Sequence, residues 1–128
     1  MTVVLDAGVV IGALDASDAH HPDSRERFAQ WHRAGTSRVI SLLNLTEVLT
    51  APAGDPARLR TAREAIAALG IAVHVPSEAV AVDAARLRNR YPISLPDAYA
   101  VATARHTGSQ LVTFDRKVAK VAGQEGIR

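Results

Sequence analysis

Thr2-Val3-Val4-Leu5-Asp6 is a short, β-branched apolar run closed by a carboxylate. No polar side chain interrupts it, so it reads as a strand covered on both faces rather than a half-wet one. Three later stretches read the same way: Arg38–Ser41, Ile71–Val75 and Gln110–Phe114. Helical patterns fill the intervals, at Ala7–Leu14, Pro22–Ala34, Leu43–Thr50, Pro56–Leu69, Glu78–Arg90, Pro96–His106 and Arg116–Ala122. Their punctuation is regular. Asp55-Pro56 places a cap before a proline at the first helical position, Ser77 and Ser94 stand where helices start, and Gly35, Gly70 and Gly108 stand where helices stop. Strand and helix alternate from end to end, which predicts an α/β fold of three layers, with a central parallel sheet of four or five strands flanked by helices. Pro52–Pro56 reads as a turn, because neither side is long enough to fold alone, so residues 1–128 are expected to form a single domain.

The chain has 128 residues and no cysteine. A fold of this size buries roughly two thirds of the surface its unfolded chain exposes, enough for a core without cross-links. The missing cysteine excludes disulfide frameworks, zinc ribbons, iron–sulfur clusters and thiol nucleophiles. No apolar run reaches the ~18 residues of a membrane span. The N-terminus lacks the basic start and long apolar stretch of a secretory signal, so the expected setting is the cytoplasm. The formal charge of +2 does not by itself mark a nucleic-acid-binding protein. The basic residues are nearly all arginine, with only Lys117 and Lys120 as lysines. GC-rich coding accounts for part of that bias, and the planar donor fork of arginine suits phosphate.

Ligands of open parallel sheets bind beyond the carboxyl ends of the strands. Asp6 directly follows the first strand, Asp115 the last, Glu47 lies in the helix after the second, and Asp97 in the first turn of a helix opened by Ser94-Leu95-Pro96. Each has an ordinary explanation: Asp6 and Asp115 as helix caps, Asp97 as a complement to a helix dipole, Glu47 as a solvated side chain. Together they are harder to dismiss, because Glu47 and Asp97 sit in helices whose other residues are mostly apolar, where unpaired acids are rare. Two carboxylates ~5 Å apart repel by roughly 3 kcal/mol at an effective dielectric of about 20. A converging set of four needs protons or a cation, and oxygen donors without His or Cys select hard Mg²⁺ or Mn²⁺. Such a cluster fits metal-assisted phosphodiester hydrolysis.

Four segments, in this order, resemble PIN-domain ribonucleases, most of all the VapC toxins of bacterial toxin–antitoxin pairs: Val3-Val4-Leu5-Asp6-Ala7-Gly8-Val9-Val10-Ile11, Asn44-Leu45-Thr46-Glu47-Val48-Leu49, Leu95-Pro96-Asp97-Ala98-Tyr99-Ala100-Val101-Ala102-Thr103-Ala104 and Leu111-Val112-Thr113-Phe114-Asp115-Arg116. The resemblance spans nearly the whole chain. It implies a metal-dependent endoribonuclease that cuts RNA with water activated by the metal, Mg²⁺ or Mn²⁺. Asp6, Glu47, Asp97 and Asp115 are then the acidic quartet, Asp6 and Asp97 the direct ligands, and Glu47 and Asp115 the acids that complete the site or orient water. Thr113 matches a hydroxyl residue two before the last acid, where it either supports a carboxylate or bonds backbone at a strand end. The resemblance further implies a VapB-like antitoxin folded over the site with a basic side chain among the acids, and a homodimer through an apolar helical face. Ala7 and Gly8 stand where the family often carries Ser or Thr, and relatives commonly add a final edge strand that Ile127 is too near the end to establish.

Other residues carry less. His20 and His21 are adjacent in a loop, where side chains diverge, and lack a His-x3-His partner. Without a His beside the acids no His general base is expected. Phe28 and Trp31 lie three apart on one helical face and read as packing. Arg86, Arg88, Arg90, Arg116, Lys117 and Lys120 form a candidate RNA-facing rim or a plain solvated face. A haloacid-dehalogenase-type phosphatase needs a second Asp where Gly8 stands, and no Gly-rich nucleotide loop occurs. The remaining alternative is a PIN-like module that binds RNA or protein without cutting.

Overall fold

Thr2–Leu5 (β1) lies inside a four-stranded parallel sheet, flanked by Ser37–Ser41 (β2) on one side and Gln110–Val112 (β4) on the other, with Ile71–His74 (β3) beyond β2. The computed structural model describes residues 1–128. Seven helices complete it: α1 (Ala7–Leu14), α2 (His21–Ala34), α3 (Leu42–Thr50), α4 (Pro56–Ala68), α5 (Glu78–Arg90), α6 (Leu95–His106) and α7 (Arg116–Gln124), with a 3-10 turn at Pro52–Gly54. The sheet has four strands, the smaller of the expected numbers. Ile127 and Arg128 do not form a strand, although the Arg128 carbonyl accepts from Leu111 N at 2.9 Å along the outer edge of β4.

Alternation along β1 creates the layers. Val3 and Leu5 join a core with Ala7, Val9 and Val10 of α1, Phe28 of α2, Val48 of α3 and Ile66 of α4. Val4 points the opposite way, into a core with Val80 and Leu87 of α5, Val101 of α6 and Val118 of α7. Full burial of an aliphatic side chain stabilises by about 1.5–3 kcal/mol, so this small sheet draws on both faces. Phe28 and Trp31 pack edge-on at 5.0 Å against the first core, as their spacing predicts. Helix α2 crosses α1 closely enough that a Cβ on Gly12 would stand 2.6 Å from Ser24 Oγ. Gly70 turns the chain into β3 at φ 70°, with the Arg38 guanidinium laid over the space a side chain would need.

The order β3-β2-β1-β4 also places the functional end. The chain adds β2 and β3 on one side of β1, then crosses to put β4 on the other, so the topological switch lies between the carboxyl ends of β1 and β4. Asp6 N continues the ladder there by donating to Val112 O at 3.0 Å.

Candidate functional site

Asp6 is the first residue past β1 and the N-cap of α1, and only 7% of it is exposed. Its Oδ1 accepts from Ala7 N at 2.9 Å and from Asn44 Nδ2 at 3.4 Å, and its Oδ2 accepts from Thr113 Oγ1 at 2.7 Å. Thr113 stands just past β4, and its Oγ1 also accepts from Asp115 N at 3.0 Å, so one hydroxyl ties the two strand ends together. Thr113 thus bonds both a carboxylate and the backbone at the strand end. Asp115 caps α7, its Oδ1 accepting from Lys117 N at 2.8 Å and Val118 N at 3.3 Å. Asp97 sits in the first turn of α6 within a capping box, its Oδ2 accepting from Ser94 N at 3.4 Å while Ser94 Oγ accepts from Asp97 N at 3.2 Å. Asp6 and Asp115 thus cap helices, Asp97 stands in the first turn of α6 where it also faces the helix dipole, and these backbone bonds fix where the three charges stand.

Glu47 differs from expectation in its surroundings. Helix α3 buries Asn44 and Val48, but Glu47 itself is exposed, because that helix covers the sheet with one stripe only. Helix α6 is the buried one, covered from Ala100 to Ala104.

Asn44 is the residue that sequence reasoning did not single out. It is fully buried, and its Nδ2 reaches Asp6 Oδ1 at 3.4 Å, Glu47 Oε1 at 3.3 Å and the Pro96 carbonyl at 3.2 Å. One amide thereby spaces two acids and fastens the start of α6 to α3. The signal was available: an amide inside Leu42-Leu43-Asn44-Leu45, three residues before Glu47 and therefore on the same helical face.

The acids feel one another. Burial, first, pushes the Asp6 carboxyl above its ordinary value, and the charges of Asp97 and Asp115 add to the rise, against the opposing hydrogen bonds from Thr113 and Ala7. Glu47 is also raised, first by partial desolvation of its carboxyl and then by Asp6 and Asp97, with Asn44 opposing. The donor chemistry fits a hard divalent cation: carboxylate oxygens, no thiolate, no imidazole, and the Asn44 Oδ1 buried within the cluster without a hydrogen-bond partner. The acids are splayed, however, and no three acidic or imidazole side chains converge on one point at ligating distance.

The basic residues divide. Arg116 and Lys117 directly follow Asp115 and are exposed, as are Lys120, Arg86 and Arg88. Arg90 bonds Glu125 at 3.2 Å, at the opposite end of nine-residue α7 from Asp115, about 13 Å along that helix. His21 Nδ1 donates to the Gly12 carbonyl at 2.7 Å, and His20 stacks on Phe114, so neither imidazole joins the acids. No helix is long and apolar enough to cross a membrane.

Comparison with known proteins agrees with this architecture. Among curated proteins none matches the chain. Among solved structures, a toxin–antitoxin complex from Klebsiella pneumoniae is 22% identical with a TM-score of 0.73, over 91% of this chain and 90% of that one. VapBC2 from Rickettsia felis, solved with a DNA fragment from its promoter, is 16% identical with a TM-score of 0.75, over 94% and 93% of the two chains. Mycobacterium tuberculosis VapC20, a toxin that cleaves the sarcin–ricin loop, is 17% identical with a TM-score of 0.73, over 92% and 93%. At these identities the likeness is one of fold. The family model described as the PIN domain matches residues 3–124, and the chain belongs to the PIN-domain family.

Proposed function

We propose that the protein is an endoribonuclease dependent on Mg²⁺ or Mn²⁺, and the toxin half of a VapBC-type toxin–antitoxin pair. The observation that carries the reading is the acidic cluster at the switch point, with Asp6 raised by its own burial and by the charges of Asp97 and Asp115. Charges that repel at this range are costly unless something positive occupies the space between them.

In this reading Asp6 and Asp97 hold the ion, and Glu47 and Asp115 complete its surroundings. A bound divalent ion supplies Lewis-acid polarisation of a phosphate oxygen and acidifies water. The chain's own residues supply orientation. Thr113 fixes Asp6 Oδ2, and Asn44 keeps Asp6 and Glu47 apart while presenting both. Glu47, exposed and with a raised pKa, orients water and is suited to accept its proton at Oε. Arg116 and Lys117, beside Asp115, neutralise RNA phosphates that the acids alone would repel.

A cognate antitoxin has a groove available. Ile11, Leu14, Val48, Ala62 and Ala65 line about 570 Å³ between α1, α3 and α4, and the groove runs to Glu47, within reach of a basic side chain from an amphipathic partner helix. Leu42 and Leu95, exposed at the starts of α3 and α6, offer apolar surface for a second copy in a homodimer.

The splay of the acids favours a second reading, a module that binds RNA or protein without cutting. One experiment separates the two. Purified, antitoxin-free protein is incubated with total bacterial RNA in Mg²⁺ or Mn²⁺, with chelator as control, and fragments are read by sequencing. Discrete, metal-requiring fragments support the nuclease and name its target. Intact RNA in the presence of folded protein contradicts it.

A further inference from the structure

Phe114 occupies the single position between Thr113, which donates to Asp6, and Asp115. Its ring is stacked on the imidazole of His20, with centroids 4.3 Å apart and planes 14° from parallel, and the Arg27 guanidinium carbon lies 5.3 Å from the same ring centre. Phe114 is partly buried against the core beneath it, whereas His20 is exposed and its ring nitrogens have no protein hydrogen-bond partner. A solvated imidazole gains little from holding one orientation, yet the turn that carries this one is tied at several points. His20 N donates to Asp18 Oδ1 at 2.8 Å, Ser17 N and Ser17 Oγ donate to Asp15 Oδ1 at 2.9 and 2.6 Å, and the next residue, His21, donates to Gly12 O. Arg27 is half-exposed, and its one ion pair is a long, exposed contact with Asp23 at 3.4 Å, which competes weakly with other anions.

An acidic cluster repels the polymer it acts on, so affinity for a single-stranded substrate has to come from neighbouring groups. Unstacked RNA bases are held on aromatic and imidazole faces, and a platform already ordered in the free protein loses less entropy when a base arrives. We propose that His20, backed by Phe114, is the seat for an unpaired nucleobase adjoining the phosphate presented to the acids, with Arg27 beside it for a neighbouring phosphate. This inference rests on the nuclease reading and deepens it, since it makes His20 a positioning residue that selects single-stranded RNA at this site.

The test uses a short single-stranded RNA of mixed sequence in low-salt buffer with EDTA, where no cutting occurs, and reads binding by fluorescence anisotropy. Wild type is compared with His20→Ala and His20→Phe, each on the intact oligonucleotide and on a series carrying one abasic position. His20→Ala is expected to weaken binding about tenfold, within the range for a lost base stack, and His20→Phe to retain it. One abasic position is expected to weaken wild type by a similar factor and to leave His20→Ala unchanged, because both changes remove the same contact. Wild type and His20→Ala binding equally overturns the inference alone. Losses that simply add overturn it too, since they assign His20 a structural role in packing α2 on the end of β4. Wild type that neither binds the oligonucleotide nor cuts total RNA in Mg²⁺ overturns the nuclease reading along with it.

Discussion

Asp6 combines three roles in one side chain: it ends β1, caps α1 and carries the most buried charge of the cluster. Since its carboxyl is held above the ordinary range, the folded chain binds that proton more tightly than the unfolded chain does. The stability this contributes is complete below the ordinary carboxylate pKa and is lost as the pH rises through the raised value. In metal-free buffer the melting temperature of Asp6→Asn relative to wild type is therefore expected to climb as the pH rises from the ordinary carboxylate range, near pH 4, through the raised value, since the amide never ionises. Thermal melts across that range check it, and a difference independent of pH would contradict it. Thr113 acts in the opposite direction, because its hydrogen bond lowers the Asp6 pKa. Thr113→Val is expected to move the acid limb of the cleavage profile to higher pH and to reduce kcat/KM by about 10- to 100-fold, with Thr113→Ser retaining both. An unmoved limb would show that the hydroxyl only orders the strand end. The acids were legible because each follows a strand or interrupts an apolar helix. Asn44 was legible only as an amide within an apolar stretch three residues before Glu47, because its burial appears only when the start of α6 is brought over it. The stacking of His20 was not legible, since its partner lies at the other end of the chain.

At the scale of elements, periodicity and punctuation gave boundaries close to those observed, and the differences have a common cause. Val75 and Phe114 were expected to prolong β3 and β4, but pairing stops at His74 opposite Ser41 and at Val112 opposite Leu5, because β2 and β1 end there and their chains turn into helices. Released from the ladder, Phe114 is free to turn toward His20. The far ends of the helices hold an arrangement that the sequence did not announce. Glu125 accepts from Tyr91 Oη at 2.5 Å, Arg105 Nη2 at 2.6 Å and Arg90 Nη1 at 3.2 Å, and Asp83 pairs with Arg105 at 3.0 Å and His106 at 3.2 Å. This clasp joins α5, α6 and α7, and its members are too scattered along the chain for spacing to reveal. The Tyr91 hydroxyl and then Arg105 hold the Glu125 carboxyl below its ordinary value, so its contribution is present at neutral pH and is lost as the pH falls through that lowered value. Glu125→Ala is expected to cost about 1 kcal/mol in urea unfolding near neutral pH, because the donors it leaves are largely solvated, and to leave RNA cleavage per folded molecule unchanged. Reduced cleavage by fully folded variant would place the clasp in the functional site.

For the molecule as a whole, the strand order matters more than any single contact. A parallel sheet sends every strand out at the same end, and the crossover to β4 opens the crevice beside β1, so acids far apart in sequence come to one end of the sheet without a local motif. That the strands leave at one end follows from alternation alone, and it is why the fold class was readable and the four acids could be expected at that end. The aperture of the cluster was not readable, since whether the carboxylates stand closed or splayed depends on rotamers and on the charge placed between them. Under the proposed function a cation holds this cluster together. Calorimetric titration of Mn²⁺ into EDTA-stripped, buffer-exchanged protein tests it most directly, with wild type and Asp97→Asn run side by side in mildly acidic buffer. The expected result is saturable binding, release of protons from the raised carboxyls of Asp6 and Glu47 to the extent they are protonated, a higher melting temperature with bound ion, and affinity reduced about tenfold or more in Asp97→Asn. No saturable binding to wild type, or equal binding to the two proteins, would contradict it.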